Sequence, residues 1–315
     1  MTRASARRWL LGLACACVGG CAHALEPPLT GTLTSVGSDT ASTLVATWSV
    51  EFQARHPGVR VQVQASGSAS APVALLEGAA DIGPMSRAMD AVERSAFERR
   101  GRAPPLGLLV AHDAIAVFVH PDNPRTRMTL AELDAIYSVE RRCGAASALR
   151  NWRDAAPTSA DSGRSVPILA IGRDTGSGTH ALFRELALCN GTYQPAVIAW
   201  PGNGAVVASV AGNPEAIGYS GAAYANGLVR VLAIAADDEA PALRPDEAAI
   251  SSGRYPLSRG LHVYVNRNAE GRPAALAEAF LDYALSDEAQ DRARRAGFVP
   301  LGASERMAQR ALLAR

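Results

Sequence analysis

Aromatic residues are scarce in this 315-residue chain, with Phe, Trp and Tyr together making up 5%. That scarcity argues against base-stacking or sugar-stacking platforms. A surplus of charge of either sign is also missing. Lys+Arg (31) and Asp+Glu (30) nearly cancel, leaving a net charge of +1 and a pI near 7.7. No global field draws the chain to nucleic acid or membrane, so any anion site has to be built locally. Cysteine is nearly absent from the folded part. Cys15, Cys17 and Cys21 lie in or beside an N-terminal leader, which leaves Cys143 and Cys189. Neither has a histidine nearby in metal-ligand spacing, which argues against zinc. Beyond the leader no run is long and apolar enough to cross a bilayer. Internal repeats and low-complexity tracts are missing as well.

The leader itself is clear. Arg3, Arg7 and Arg8 give a positive start, and residues 9–18 form an apolar stretch too short to span a membrane. Two processing sites compete. Val18-Gly-Gly-Cys21 resembles a lipoprotein box that would leave Cys21 lipidated. Ala22-His-Ala24 resembles an ordinary cleavage site, which would make 1–24 a signal peptide and release a soluble protein starting near Leu25. Arg7-Arg8 also fits a twin-arginine signal, although paired arginines are common in ordinary leaders. In an oxidising compartment, a disulfide is the simplest fate of Cys143 and Cys189, with two buried free thiols as the alternative. Closing that loop would contribute about 4 kcal/mol on the chain-entropy model.

An apolar content of 48% lets the chain bury a large core, in about two domains. Extended and helical runs alternate, which predicts an α/β fold. Residues 33–37, 59–65, 81–83, 115–120, 166–171, 216–220, 229–233 and 261–265 read as strands. Residues 40–56, 71–78, 91–100, 274–284 and 287–296 read as helices. Pro121-Asp-Asn-Pro124 is turn chemistry, and Thr129-Leu-Ala-Glu132 opens a helix with a capping box. The stretch 155–165, rich in Ser, Asp, Gly and Pro, reads as a surface loop.

Four strand-to-helix junctions share one character: Gly37-Ser-Asp-Thr40, Ser66-Gly-Ser-Ala-Ser70, Gly83-Pro-Met-Ser-Arg87 and Arg173-Asp-Thr-Gly-Ser-Gly-Thr179. Each follows the carboxyl end of a strand, where ligands of open α/β sheets bind. In the last, Gly176 and Gly178 permit a tight turn, and Ser177 and Thr179 offer hydroxyls and N–H groups to an anion at a helix start. Arg173 adds a planar cation suited to a tetrahedral oxyanion. Any one junction alone reads as a helix N-cap. Four of them, two carrying arginines, point to a shared anion pocket. Arg94, Arg99, Arg100 and Arg102 read as a solvated face.

These motifs, with Gln64-Ala-Ser-Gly-Ser68, Ala80-Asp-Ile-Gly-Pro-Met-Ser-Arg87 and Ala216-Ile-Gly-Tyr-Ser-Gly221, occur in the order seen in PstS-type phosphate-binding proteins. From about residue 32 to 298 the chain resembles that family, the extracytoplasmic receptors of phosphate ABC transporters. The pair Cys143 and Cys189 also looks like a feature of one of its branches. The resemblance implies a two-lobed, type II periplasmic-binding fold with the ligand cleft between lobes. Residues 30–119 and 258–315 would form lobe 1 and residues 120–257 lobe 2, with the hinge crossed near His120 and again at 256–261. Inorganic phosphate would be held by Ser38, Asp39, Thr40, Ser68, Ser86 and Arg87 from lobe 1 and by Arg173, Ser177, Gly178 and Thr179 from lobe 2.

The resemblance further implies a monomeric, non-catalytic, periplasmic or envelope-bound receptor without cofactor or metal, serving an ABC permease in the inner membrane. One departure stands out. Some members carry a carboxylate where Ser86 stands, to accept the proton of phosphate and so reject sulfate. Here Asp39 is the first candidate for that role, ahead of Asp81, Asp113 and Asp174. Two other functions are weighed. A secreted hydrolase of phosphate esters would use Ser177 and His180, but the Gly-x-Ser-x-Gly elbow is missing and His180 reads as helix surface. A phosphate-binding scaffold used for sensing or adhesion would need the same pocket.

Overall fold

The structure, a computed structural model, describes residues 28–154 and 166–314. The leader with its processing sites and the loop expected at 155–165 lie outside the described residues.

The first half of the chain alternates strand and helix: β1 (Gly31–Gly37), α1 (Asp39–Arg55), β2 (Val59–Ala65), α2 (Ser70–Glu77), β3 (Ile82–Met85) and α3 (Ala91–Arg99). Next come β4 (Leu106–Val119), β5 (Arg127–Thr129), α4 (Leu130–Tyr137), β6 (Leu169–Arg173) and α5 (Gly178–Ala187). They are followed by β7 (Ile198–Trp200), α6 (Asn203–Ala211), β8 (Ala216–Gly221), β9 (Arg230–Val231), β10 (Ala233–Ala235) and α7 (Glu247–Ser251). The chain closes with β11 (Ser258–Val265), α8 (Ala275–Ala284), α9 (Asp287–Arg295) and α10 (Ala303–Leu313). Local chemistry sets many of the helix starts. Ser38 caps α1, Asp90 and Glu93 form a capping box on α3, and Thr129 and Glu132 form one on α4.

The strands run in the order β2-β1-β3-β11-β4-β8-β6-β7, with β9 also on β4. β1 pairs parallel with β2 and β3, as strands linked by helices should. β4 is the joint of the molecule. Its residues 106–114 pair antiparallel with β11, and its residues 115–119 pair antiparallel with β8. One core therefore lies under β1 and the first part of β4, with Leu33, Trp48, Phe52, Leu108 and Phe280 buried together. A second lies under the far part of β4, with Ile115, Val117, Tyr137, Phe183 and Tyr219. The result is a two-lobed α/β fold.

The resemblance implies a first hinge crossing near His120; β4 changes its sheet partner between Ala114 and Ile115. The apolar run 115–119 continues a strand that is already hydrogen-bonded in the other lobe. Gly107, the second residue of β4, leaves room for Tyr264, whose ring would lie 2.5 Å from a Cβ at that position. Cys143 and Cys189 are joined as a disulfide, with Cα atoms 5.5 Å apart, so the free-thiol alternative falls. The bond ties the segment after α4 to the carboxyl end of α5. There Cys189 and Asn190 turn the chain with φ of 46° and 60°.

Candidate functional site

The four junctions meet where the lobes touch. Ser38 Oγ accepts from Ala41 N at 3.3 Å, and Ser177 Oγ accepts from Thr179 N at 3.1 Å. These caps leave the amides of Asp39, Thr40 and Gly178, in the first turns of α1 and α5, with no carbonyl one turn back to bond. Gly178 is the closest point of approach. A Cβ there would stand 2.3 Å from Ser68 Oγ and 2.6 Å from Ser86 Oγ, so only glycine lets α5 come this near the lobe 1 hydroxyls. Those hydroxyls lie 3.3 Å from each other, and Ser86 N donates to Ser68 Oγ at 3.1 Å. Ala69 N donates to Gly176 O at 3.3 Å, closing the second junction onto the fourth. Ser38, Thr40, Ser68, Ser86, Ser177 and Thr179 are all buried.

Arg173, 1% exposed, forms the polar centre of the contact. Its Nη2 donates to Asp39 Oδ1 at 2.7 Å and to Pro201 O at 2.5 Å, its Nη1 to Asn203 Oδ1 at 2.6 Å, and its Nε to Trp200 O at 3.3 Å. Asn203, the first residue of α6, completes the bridge between lobes. Its Nδ2 donates to Asp39 Oδ2 at 2.8 Å and to Thr40 Oγ1 at 2.9 Å, and its Oδ1 accepts from Gly221 N at 3.0 Å. Beside it the Tyr224 hydroxyl bonds Thr43 Oγ1 and donates to Asp39 O at 3.3 Å. Burial pushes the Tyr224 phenol above its ordinary pKa, so it stays a neutral donor.

The structure places other expected residues differently. Arg87 does not bring a free guanidinium to this group. Its Nη1 and Nη2 donate to the two carboxylate oxygens of Glu93 at 2.7 and 2.5 Å, and Nη1 also donates to Ala88 O at 2.9 Å. That charge is spent within lobe 1. Among the alternative carboxylates, Asp81 accepts from Thr34 N at 2.7 Å as a structural acceptor, and the carbonyl of Asp174 closes the turn to Ser177 N at 3.1 Å. His180 is half-buried rather than bare helix surface. Its ring stacks on Tyr193 with centroids 4.2 Å apart and its Nδ1 bonds Arg173 O at 2.9 Å. Burial lowers its pKa below the usual imidazole value.

Two further residues escaped the sequence pattern. Arg259 on β11 lies against the same group, with Nη2 3.0 Å from a Cβ placed on Gly221, a position that is also 3.1 Å from Thr40 Cγ2. Asn203 follows Pro201-Gly202 ahead of an apolar helix, a helix-start signal of the same kind as those of the four junctions. Arg259 sits in a strand and carries no local signal. Among the described residues no group of three or more His, Cys, Asp and Glu side chains is arranged to hold a metal ion. The arrangement offers hydroxyls, helix-start amides and guanidinium groups facing one another across two lobes. That chemistry suits capture of a small oxyanion.

Comparison with known proteins agrees with the geometry. Residues 22–288 match the PBP superfamily domain. The chain is 41% identical over 276 residues to the phosphate-binding protein PstS of Pseudomonas aeruginosa, covering 87% of this chain and 84% of that protein. It is 28% identical over 275 residues to Protein SphX of Synechococcus elongatus, covering 86% and 78% respectively. In backbone it matches an ABC-type phosphate transport receptor from Vibrio cholerae with a TM-score of 0.65 at 21% identity, over 85% of this chain and 100% of that one. The chain belongs to the PBP superfamily and, within it, to the PstS-type phosphate-binding proteins.

Proposed function

We propose that this protein is an exported receptor that closes two lobes on inorganic phosphate and delivers it to an ABC-type permease in the inner membrane. The observation that carries this reading is the approach of Gly178 in lobe 2 to the Ser68 and Ser86 hydroxyls in lobe 1, beside the Arg173–Asp39 pair. Phosphate would be bound by Ser38, Thr40, Ser68 and Ser86 from lobe 1 and by Arg173, Ser177, Gly178 and Thr179 from lobe 2. Asp39 would accept the phosphate proton. Its carboxylate takes one bond from Arg173 and two from Asn203, which leaves lone-pair capacity for one more. Arg87 is left out of this set because Glu93 holds it. The lobes would divide at Ala114/Ile115 and again at Leu257/Ser258, and the receptor would act as a monomer in the periplasm or anchored to the envelope.

Micromolar affinity requires about 8 kcal/mol. Charge-assisted hydrogen bonds contribute about 1.5–3 kcal/mol each before the cost of closure, so a few suffice without a metal. Only the closed form lets both lobes donate, so the ion shifts the open–closed equilibrium toward closure.

A hydrolase is not favoured. Ser177 Oγ is occupied by Thr179 N, and His180 Nδ1 bonds Arg173 O, so the two do not form a nucleophile–base pair. Isothermal titration tests the proposal. Heat with phosphate and little with sulfate is expected; binding of sulfate alone would overturn the ligand assignment.

A further inference from the structure

The two strands that cross between the lobes carry a buried ion pair aimed at the site. Asp113 on β4 and Arg259 on β11 are cross-strand partners at the place where β4 changes sheets. Both are buried, with side chains 1% exposed. Asp113 Oδ2 accepts from Arg259 Nε at 2.9 Å and from Nη2 at 2.6 Å. Arg259 Nη1 then donates to Thr179 Oγ1 at 2.8 Å, in the first turn of α5.

A threonine hydroxyl has one hydrogen and two lone pairs. When a guanidinium donates to its oxygen, the hydroxyl hydrogen is kept away from that cation. We propose that Arg259, held in register by Asp113, is a positioning residue for ligand binding: it turns the Thr179 hydroxyl into a donor directed at the oxyanion.

The inference rests on the phosphate-receptor reading and deepens it. Arg259 needs no contact with the ion to act. Its fork is fixed by two bonds to one carboxylate oxygen, so the direction of its remaining donation is fixed as well. The pair sits on the two crossing strands while Thr179 lies on α5, so the donation that orients the hydroxyl is made across the lobes, next to the hinge. Lysine would keep the charge but lose the fork.

The test is a double-mutant cycle on phosphate affinity, read by titration calorimetry. Replacing Arg259 alone would leave Asp113 as an unpaired buried charge, so the pair is exchanged together as Asp113→Asn with Arg259→Gln. The exchange is made in the unaltered chain and in a Thr179→Val background. Weakening of at least tenfold in the first, and at least threefold less weakening in the second, is expected. Ligand-free melting curves check that each variant is folded. Equal factors in the two backgrounds, or weakening below tenfold in the first, would overturn the inference while leaving phosphate binding by the unaltered chain intact. If the exchanged pair fails to fold, Arg259→Lys takes its place in the same cycle under the same criteria. Absence of phosphate binding by the unaltered chain would overturn both the receptor reading and this one.

Discussion

Gly178 is the residue at which fold and binding chemistry meet most tightly. A methyl group there would overlap the Ser68 and Ser86 hydroxyls, yet Gly178 has no positive φ that would forbid alanine. Gly178→Ala should therefore fold, melt close to the unaltered protein, and bind phosphate at least tenfold more weakly because the lobes cannot seat. Calorimetry alongside a melting curve separates the two effects. Asp39→Asn should act on selectivity. An amide cannot take the phosphate proton as a carboxylate does, so the preference for phosphate over sulfate should fall by roughly tenfold. An unchanged ratio would move the acceptor role elsewhere. His180 and His262 carry a pH signature, since burial lowers both from an unfolded value of 6.5. Below that pH the unfolded chain binds more protons than the folded one, so stability is lost as pH falls and is complete above it. His180→Phe, which keeps a ring against Tyr193, should lose less melting temperature between pH 7.5 and pH 5 than the unaltered protein, in parallel scans at about those pH values.

At the scale of elements, the strand–turn–helix units were the legible part. Gly37-Ser38-Asp39 and Gly176-Ser177-Gly178 announce themselves because turns and caps use residues a few positions apart. β4 was only half visible, since Gly107 and the prolines before it hide the strand that Tyr264 packs against. α10 was not foreseen at all, although Glu305 stands in its first turn and Arg310 in its last. The pairings of Asn203 and Arg259 were harder still. Asn203 meets Asp39 across 164 residues and Asp113 meets Arg259 across 146, and such contacts leave no local pattern. The Cys143–Cys189 bond ties the segment after α4 to the far end of α5, away from the helix start at Gly178. Replacing both cysteines by alanine should cost up to about 4 kcal/mol of stability by the loop-entropy argument. Phosphate affinity should stay within about threefold, under 1 kcal/mol. Denaturant melts and titration of the same variant check both figures, and a tenfold loss of affinity would mean that the bond also holds the helix start in place.

For the whole molecule, function depends on what joins the lobes besides the ion. Asp39, Thr40 and Thr43 on α1 meet Arg173, Asn203 and Tyr224 from the other lobe. Arg173 belongs to the proposed phosphate set and Asn203 holds Asp39, so altering either would confound binding with closure. Tyr224 is cleaner. Its hydroxyl bonds Thr43 Oγ1 and Asp39 O and belongs to none of the four junctions. Tyr224→Phe removes that latch and keeps the ring, and a net hydrogen bond of about 1 kcal/mol corresponds to roughly fivefold in the open–closed equilibrium. Only the closed form holds phosphate with both lobes, so apparent affinity should weaken by up to the same roughly fivefold factor, mainly through faster release. Small-angle scattering at saturating phosphate should then give the same compact radius for variant and parent, because enough ligand restores closure. A variant that stayed expanded at saturation would show that Tyr224 shapes the closed form itself rather than its population.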